Sequence, residues 1–194
     1  MRLYLVRHGE SEGNRRRLIF GSADFPLTEL GRRQAGEAGE KLKDTGIVHC
    51  YSSNLLRAAE TARICLSGRE VPITYHEELR EQHMGEFEEG GFQELTERYP
   101  DSFPAMMSNW VENPPLGGES FCEVFERVTR FVQKVIDKGE DAMIVAHNGP
   151  LSMLGVWLMD APVECVENFY FLHGCYSSFI IGEKRRNVLE YFNK

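Results

Sequence analysis

The chain has 194 residues, 42% hydrophobic and 27% charged, enough for a substantial core in one domain over residues 1–194. A formal net charge of −8 argues against a nucleic-acid partner or an anionic membrane surface, although a local group of arginines can still take a small anion. Five scattered cysteines with no CxxC pair give neither a zinc-ligand set nor a disulfide framework, and no stretch approaches the ~18 apolar residues of a spanning helix, so a reduced, cytoplasmic protein is expected.

Leu3-Tyr4-Leu5-Val6 is an apolar run of the kind that forms a buried strand, and it breaks off into Arg7-His8-Gly9 and a polar loop with Ser11 and Asn14. Open α/β sheets place ligand chemistry at the carboxyl ends of their strands. Arg7 therefore reads as a fixed cation and His8 as a nucleophile or base, while Arg15, Arg16 and Arg17 read as a solvated or partner-facing run. Thr28 is a good N-cap for a helix over Glu29–Lys43, in which Gly31, Gly36 and Gly39 are read as close-packing positions. A second strand is expected over Ile47–Tyr51, followed by Ser52-Ser53-Asn54 as the cap of a helix over Leu55–Leu66. Arg57 falls in the first turn of that helix, where a cation opposes the macrodipole; a nearby bound anion would explain it.

Val71–Tyr75 reads as a further strand. Glu77–Gly118 is irregular and punctuated by Gly and Pro, and residues 82–118 are expected to form a cap insertion over a pocket, with Trp110 and Met106-Met107 in its core. Ser120 and Glu123 have capping-box spacing ahead of a helical stripe from Phe121 to Ile136. Ala142–Ala146 is a buried strand that discharges His147, and Pro150 suits the first position of a helix over Leu151–Leu158. Strands over Tyr176–Gly182 and Val188–Phe192, joined by a charged turn, close the chain. Strands alternating with helices define an α/β sandwich. His49, His76 and His173 show no partner pattern and receive no role.

Arg7, His8, Arg57 and His147 make sense as one set. Arginine forks suit phosphate oxygens, and the amides after His147, starting at Asn148, add an anion site at a helix start. A neutral imidazole among cations is a good nucleophile toward phosphorus, and the resulting phosphohistidine divides one displacement into two without a metal or other cofactor. Glu81, within Leu79-Arg80-Glu81, is the candidate proton donor to the leaving alkoxide.

Val6-Arg7-His8-Gly9-Glu10 resembles the signature of the histidine phosphatase superfamily, in its phosphoglycerate-mutase-like branch. Asn14, Gly21, the Asp24–Gly31 stretch, Ser52 through Ala62, Glu81 before Gly85, Gly118-Glu119-Ser120 and Val145-Ala146-His147 continue the resemblance in order. It implies a three-layer α/β sandwich with a mostly parallel central sheet, helices on both faces and a small cap. It also implies His8 as the phosphorylated nucleophile, with its Nδ1–H donated to the Gly9 carbonyl. Arg7, Asn14, the Gly21 backbone, Arg57, His147 and Asn148 would hold the phosphoryl group, and Glu81 would act as acid, then base. Phe20, His83 and Asn148 depart from the family's usual residues. The expected activity is metal-independent hydrolysis of a small phosphorylated metabolite. The pattern is similar to α-ribazole-5′-phosphate phosphatases of cobalamin biosynthesis, although sugar-phosphate phosphatases share it. A phosphoglycerate mutase and a non-catalytic phosphate-binding module are the alternatives, and the oligomeric state is not legible.

Overall fold

The computed structural model describes residues 1–182 and 186–194, and its centre is a six-stranded sheet in the order β4-β3-β6-β1-β7-β8. These strands are β1 (Arg2–Arg7), β3 (His49–Ser53), β4 (Ile73–His76), β6 (Ala142–Ala146), β7 (Tyr176–Ile180) and β8 (Val188–Tyr191). β4, β3, β6 and β1 run parallel, while β7 lies antiparallel to both β1 and β8. β1 is thus flanked on both sides, with Leu3 opposite Ala142 and also opposite Phe179. Such a position demands a strand apolar on both faces, which is what Leu3-Tyr4-Leu5-Val6 provides.

The alternation of side chains along β1 divides the core. Leu3 and Leu5 join Ile144 and Ala146 on one face, under α6 (Phe121–Ile136) and α7 (Asn148–Leu158). Tyr4 and Val6 join Cys50, Met143 and Val145 on the other, under α2 (Glu29–Leu42) and α3 (Leu56–Cys65). Leu3 and Leu5 are wholly buried, each contributing about 1.5–3 kcal/mol of transfer free energy. The mostly parallel sheet with helices on both faces is therefore present as expected. Among the described residues, no helix is long and apolar enough to cross a membrane.

Several boundaries differ from the sequence reading. The second strand runs past Tyr51 through Ser52 and Ser53, which are buried despite their hydroxyls. The N-terminus of α3 is capped not by its own preceding serines but by Asp24, whose two carboxylate oxygens receive the Leu56 amide at 2.8 and 3.0 Å. α7 starts three residues early, with His147 as its N-cap residue, so Pro150 occupies the third helical position. Its missing N–H costs nothing there either, because the first four amides of a helix have no intrahelical partner. Of the three α2 glycines, Gly31 and Gly39 do pack against backbone at Glu10 and Cys65, whereas Gly36 faces open space. The capping box of Ser120 and Glu123 forms as read. The charged turn expected after Gly182 falls partly on residues 183–185, outside the described residues.

Residues 77–119 leave the sandwich. They carry β5 (Gly90–Gly91), which pairs with β2 (Leu18–Ile19), and two short helices, α4 (Phe92–Arg98) and α5 (Ser102–Ser108). Phe87, Leu95, Phe103 and Met106 form a small core here, and Trp110 ties it to the main core with its ring 5.2 Å from that of Phe121.

Candidate active site

The carboxyl ends of β1, β3 and β6 lie side by side, and each delivers a polar residue to one place. β1 ends in Arg7 and leads into His8; β3 ends in Ser53; β6 leads into His147. The His8 and His147 rings stand 5.0 Å apart between centroids. Arg7, His8 and Arg57, together with Asn14, Phe20, Glu81 and Met84, line a cavity of about 170 Å³.

His8 is buried, and its Nδ1 lies 2.7 Å from the Gly9 carbonyl. A carbonyl only accepts, so Nδ1 carries the proton and Nε2 keeps its lone pair. Burial, then the cations Arg57 and Arg7, hold the His8 pKa well below its ordinary value, so the ring is neutral and nucleophilic.

Arg57 is 1% exposed and reaches the site from the first turn of α3. Its guanidinium donates to the Gly21 carbonyl at 2.7 Å, to the Ala23 carbonyl at 2.9 Å and, through Nε, to His147 Nδ1 at 3.2 Å. Burial pulls its pKa down to about 10 against the opposing pull of Glu81, Asp24 and Glu88, so it remains a cation. The Phe20 ring stacks 4.9 Å from its guanidinium carbon, in a cation–π contact. Because an arginine Nε–H can only donate, His147 accepts at Nδ1 and presents Nε2–H to Ser53 Oγ, 2.9 Å away. His147 is fully enclosed, and burial followed by Arg57 lowers its pKa well below the ordinary value.

Arg7 donates through Nη1 to the Phe171 carbonyl at 2.6 Å and lies under the Tyr170 ring, 5.3 Å from its centroid. Its Nε has no partner; among the described residues it is the one buried side-chain nitrogen or oxygen so left. A buried donor without an acceptor costs about 1–3 kcal/mol.

Glu81 approaches the same cavity from the start of the cap. Its Oε1 accepts from the Gln82 amide at 3.0 Å and its Oε2 from the Gly149 amide of α7 at 3.3 Å. Burial nevertheless prevails over these donors and the two arginines, and the carboxyl pKa is raised. Glu81 also lines a second, larger cavity of about 480 Å³, whose walls are mostly apolar: Met84, Met106, Met107, Trp110, Phe169 and Tyr170.

Three expected phosphate ligands sit differently from the sequence reading. The Gly21 amide is taken by Glu88, whose carboxylate also gathers the amides of Ser22, Ala23 and Met84 at 2.8–3.2 Å; Gly21 contributes instead through its carbonyl, which holds Arg57. Asn148 faces the larger cavity, its Oδ1 accepting from the Phe171 amide, so it steadies the segment that holds Arg7. His147 is not among the residues that line the small cavity, and both its ring nitrogens are engaged. Asn14 does line the small cavity; its Oδ1 is used in a capping box with Ser11, leaving the amide nitrogen as the end for a ligand. Trp110, Met106 and Met107, read as cap core, also wall the larger cavity.

The sequence reading missed His173, whose ring centroid is 5.3 Å from that of His8, and Glu88. No local spacing marks either residue, since both act across strands or loops distant in the chain.

Fold and site together define an α/β protein with an anion-receptive pocket built around a nucleophilic histidine. The chain belongs to the histidine phosphatase superfamily (branch 1), whose sequence pattern matches residues 3–194, and it is an enzyme of the phosphatase class. It is 36% identical over 185 residues to the adenosylcobalamin/alpha-ribazole phosphatase of Salmonella typhimurium strain LT2, covering 94% of this chain and 92% of that one. Phosphoglycerate mutase-like protein 4 of Arabidopsis thaliana is 36% identical over 157 residues, or 78% of this chain and 68% of its own. The crystal structure of the alpha-ribazole phosphatase from Shigella flexneri superposes with a TM-score of 0.91 at 33% identity, over 100% of this chain and 96% of that one.

Proposed function

We propose that the protein is a metal-independent phosphomonoesterase that works through phospho-His8, and that its substrate is a small metabolite whose leaving group is partly apolar and uncharged, with α-ribazole 5′-phosphate the first candidate. The observation that carries the mechanism is the convergence of His8, Arg7, Arg57 and Asn14 on one small cavity. A phosphoryl group there takes the free donors of Arg7 and Asn14 and lies against the Arg57 cation. His8 Nε2 attacks phosphorus, the P–O bond to the leaving group breaks, and Glu81 gives its proton to the departing oxygen. Water then attacks the phosphohistidine, Glu81 takes the water's proton, the P–N bond breaks and inorganic phosphate leaves. Burial raises the Glu81 carboxyl and so favours the protonated form that the first half-reaction uses, and the charge that develops on phosphorus is met by guanidinium groups.

The larger cavity shares Ile19, Glu81 and Met84 with the smaller one, which makes it the site of the leaving group. Among the described residues its lining contains no Lys or Arg, and its charged members are Glu81 and Glu167. A phosphoglycerate would have to place a carboxylate there without a cation, which speaks against the mutase reading. The relatives named for alpha-ribazole support the first candidate. We take residues 1–194 as one catalytic domain with 82–118 as its cap, and we place it in the cytoplasm. The deciding experiment is phosphate release in EDTA from α-ribazole phosphate, 3-phosphoglycerate, sugar phosphates and p-nitrophenyl phosphate. Selective release from α-ribazole phosphate is the expected result. Preference for phosphoglycerate with isomerisation would overturn the leaving-group assignment, and full activity of His8→Ala would overturn the mechanism.

A further inference from the structure

We propose that His173 is a positioning residue for the nucleophile, holding the His8–Gly9 peptide in the orientation that aims the His8 ring. This rests on the phospho-His8 reading and adds to it a residue outside the phosphate pocket. β1 ends at Arg7, so the His8 carbonyl lies beyond the ladder between β1 and β7 and finds no strand partner among the described residues. His173 Nδ1 lies 3.1 Å from that carbonyl oxygen, and since a carbonyl only accepts, Nδ1–H is the donor. The other end of the same peptide unit, the Gly9 N–H, donates to Thr61 Oγ1 at 3.1 Å. One side chain from the loop before β7 and one from α3 thus fix both ends of this peptide plane. The next carbonyl along, that of Gly9, receives His8 Nδ1–H and sets the tautomer. Any rotation of the peptide moves that acceptor and, with it, the ring.

The donor is itself held in place. The Gly174 amide donates to the Arg7 carbonyl at 3.1 Å, so His173 and Gly174 bind two successive carbonyls of the Arg7-His8 pair. Gly174 has φ +62°, a conformation that suits glycine, and a Cβ there would collide with Gln34 of α2. Burial and Arg7 lower the His173 pKa to about 4, so the ring is neutral near neutral pH and serves as a donor rather than as another charge.

The test compares three substitutions by rapid-quench measurement of His8 phosphorylation with p-nitrophenyl phosphate, whose departure needs no proton. His173→Leu removes the donor. His173→Gln moves it one bond outward, and His173→Asn keeps an N–H at the same number of bonds from the backbone as His Nδ1. Phosphorylation should slow on the order of 10- to 100-fold in the Leu and Gln proteins, as a displacement near 1 Å would produce. The Asn protein should retain most of the rate. Inhibition by inorganic phosphate should be unchanged in all three, because the arginine pocket is intact. Equal rates in the three proteins, or losses that follow the fall in Tm, would overturn the proposal. Should the Leu protein not fold, the contrast between Gln and Asn decides alone. Absence of any phosphoenzyme in the wild type would instead refute the mechanism proposed for His8.

Discussion

Gly149→Ala isolates the role of Glu81 without replacing it. A Cβ at 149 would lie 3.4 Å from Glu81 Cδ, an ordinary contact, but inside the 3.0 Å limit of Oε1. The obstructed atom is the end of a flexible side chain, so the carboxylate moves rather than the helix. Restoring van der Waals separation displaces it by about 1 Å, and such a misplacement of a reacting group costs on the order of 10²-fold. General acid catalysis itself contributes about 10²–10⁴-fold, so a ~10²-fold loss of kcat/KM is expected for alkyl phosphates. The kcat/KM for p-nitrophenyl phosphate should change little, because its leaving group departs as the anion and kcat/KM reports the phosphorylation of His8, not the later step in which Glu81 takes the water's proton. Tm should hold or rise slightly, since Ala is the better helix former. Steady-state kinetics on both substrates with one thermal melt checks all of this. Equal losses of kcat/KM on the two substrates would refute Glu81 as proton donor, and unchanged kinetics on both would refute the geometry.

Hydrolysis requires His8 neutral and Glu81 protonated. With His8 lowered below 6.5 and Glu81 raised above 4.5, kcat/KM should follow a bell whose optimum lies on the acidic side of neutrality, and Glu81→Gln should abolish its alkaline limb. An alkaline limb that survives assigns it to another group. Stability should fall as pH drops below 6.5, because unfolding lets His8 and His147 take up protons that the folded protein refuses. Each proton is worth up to about 1.4 kcal/mol per pH unit, and Glu81 opposes one of them above 4.5 because its folded form binds its proton more tightly. Denaturant melts at pH 5 and pH 7 measure the net, and greater stability at pH 5 would contradict the sign. Glu88→Ala releases the amides of Gly21, Ser22, Ala23 and Met84, so Tm should drop well beyond a surface substitution, with weaker inhibition by phosphate as Arg57 loses its steady backbone acceptors. An unchanged melt would show that this carboxylate carries no strain of the loop.

What the sequence made legible follows from how local each signal is. The apolar run of β1, the Ser120–Glu123 box and the stripe of α6 depend on neighbours in the chain, and they stand as read. Arg57 was conspicuous because its charge is wrong for its place on a helix, and the structure surrounds it with carbonyls and with Asp24, 3.9 Å away. The cap of α3 was misassigned because Asp24 comes from a loop 32 residues earlier. His173 was illegible because its partner is 165 residues away, brought close only by the antiparallel pairing of β7 with β1. Ser52 and Ser53 hid the true end of β3, since small hydroxyls read as loop until their hydrogen bonds inside the fold are known.

The placement of β1 has a bearing on how the protein is made. The strand that carries the nucleophile is paired with Ala142–Ala146 on one side and Tyr176–Ile180 on the other. At synthesis rates of about 5–20 residues per second, β1 waits on the order of 9–35 s for its second neighbour. Through that interval Leu3-Tyr4-Leu5-Val6 keeps at least one apolar edge unpaired, the kind of segment that chaperones hold and that aggregates without them.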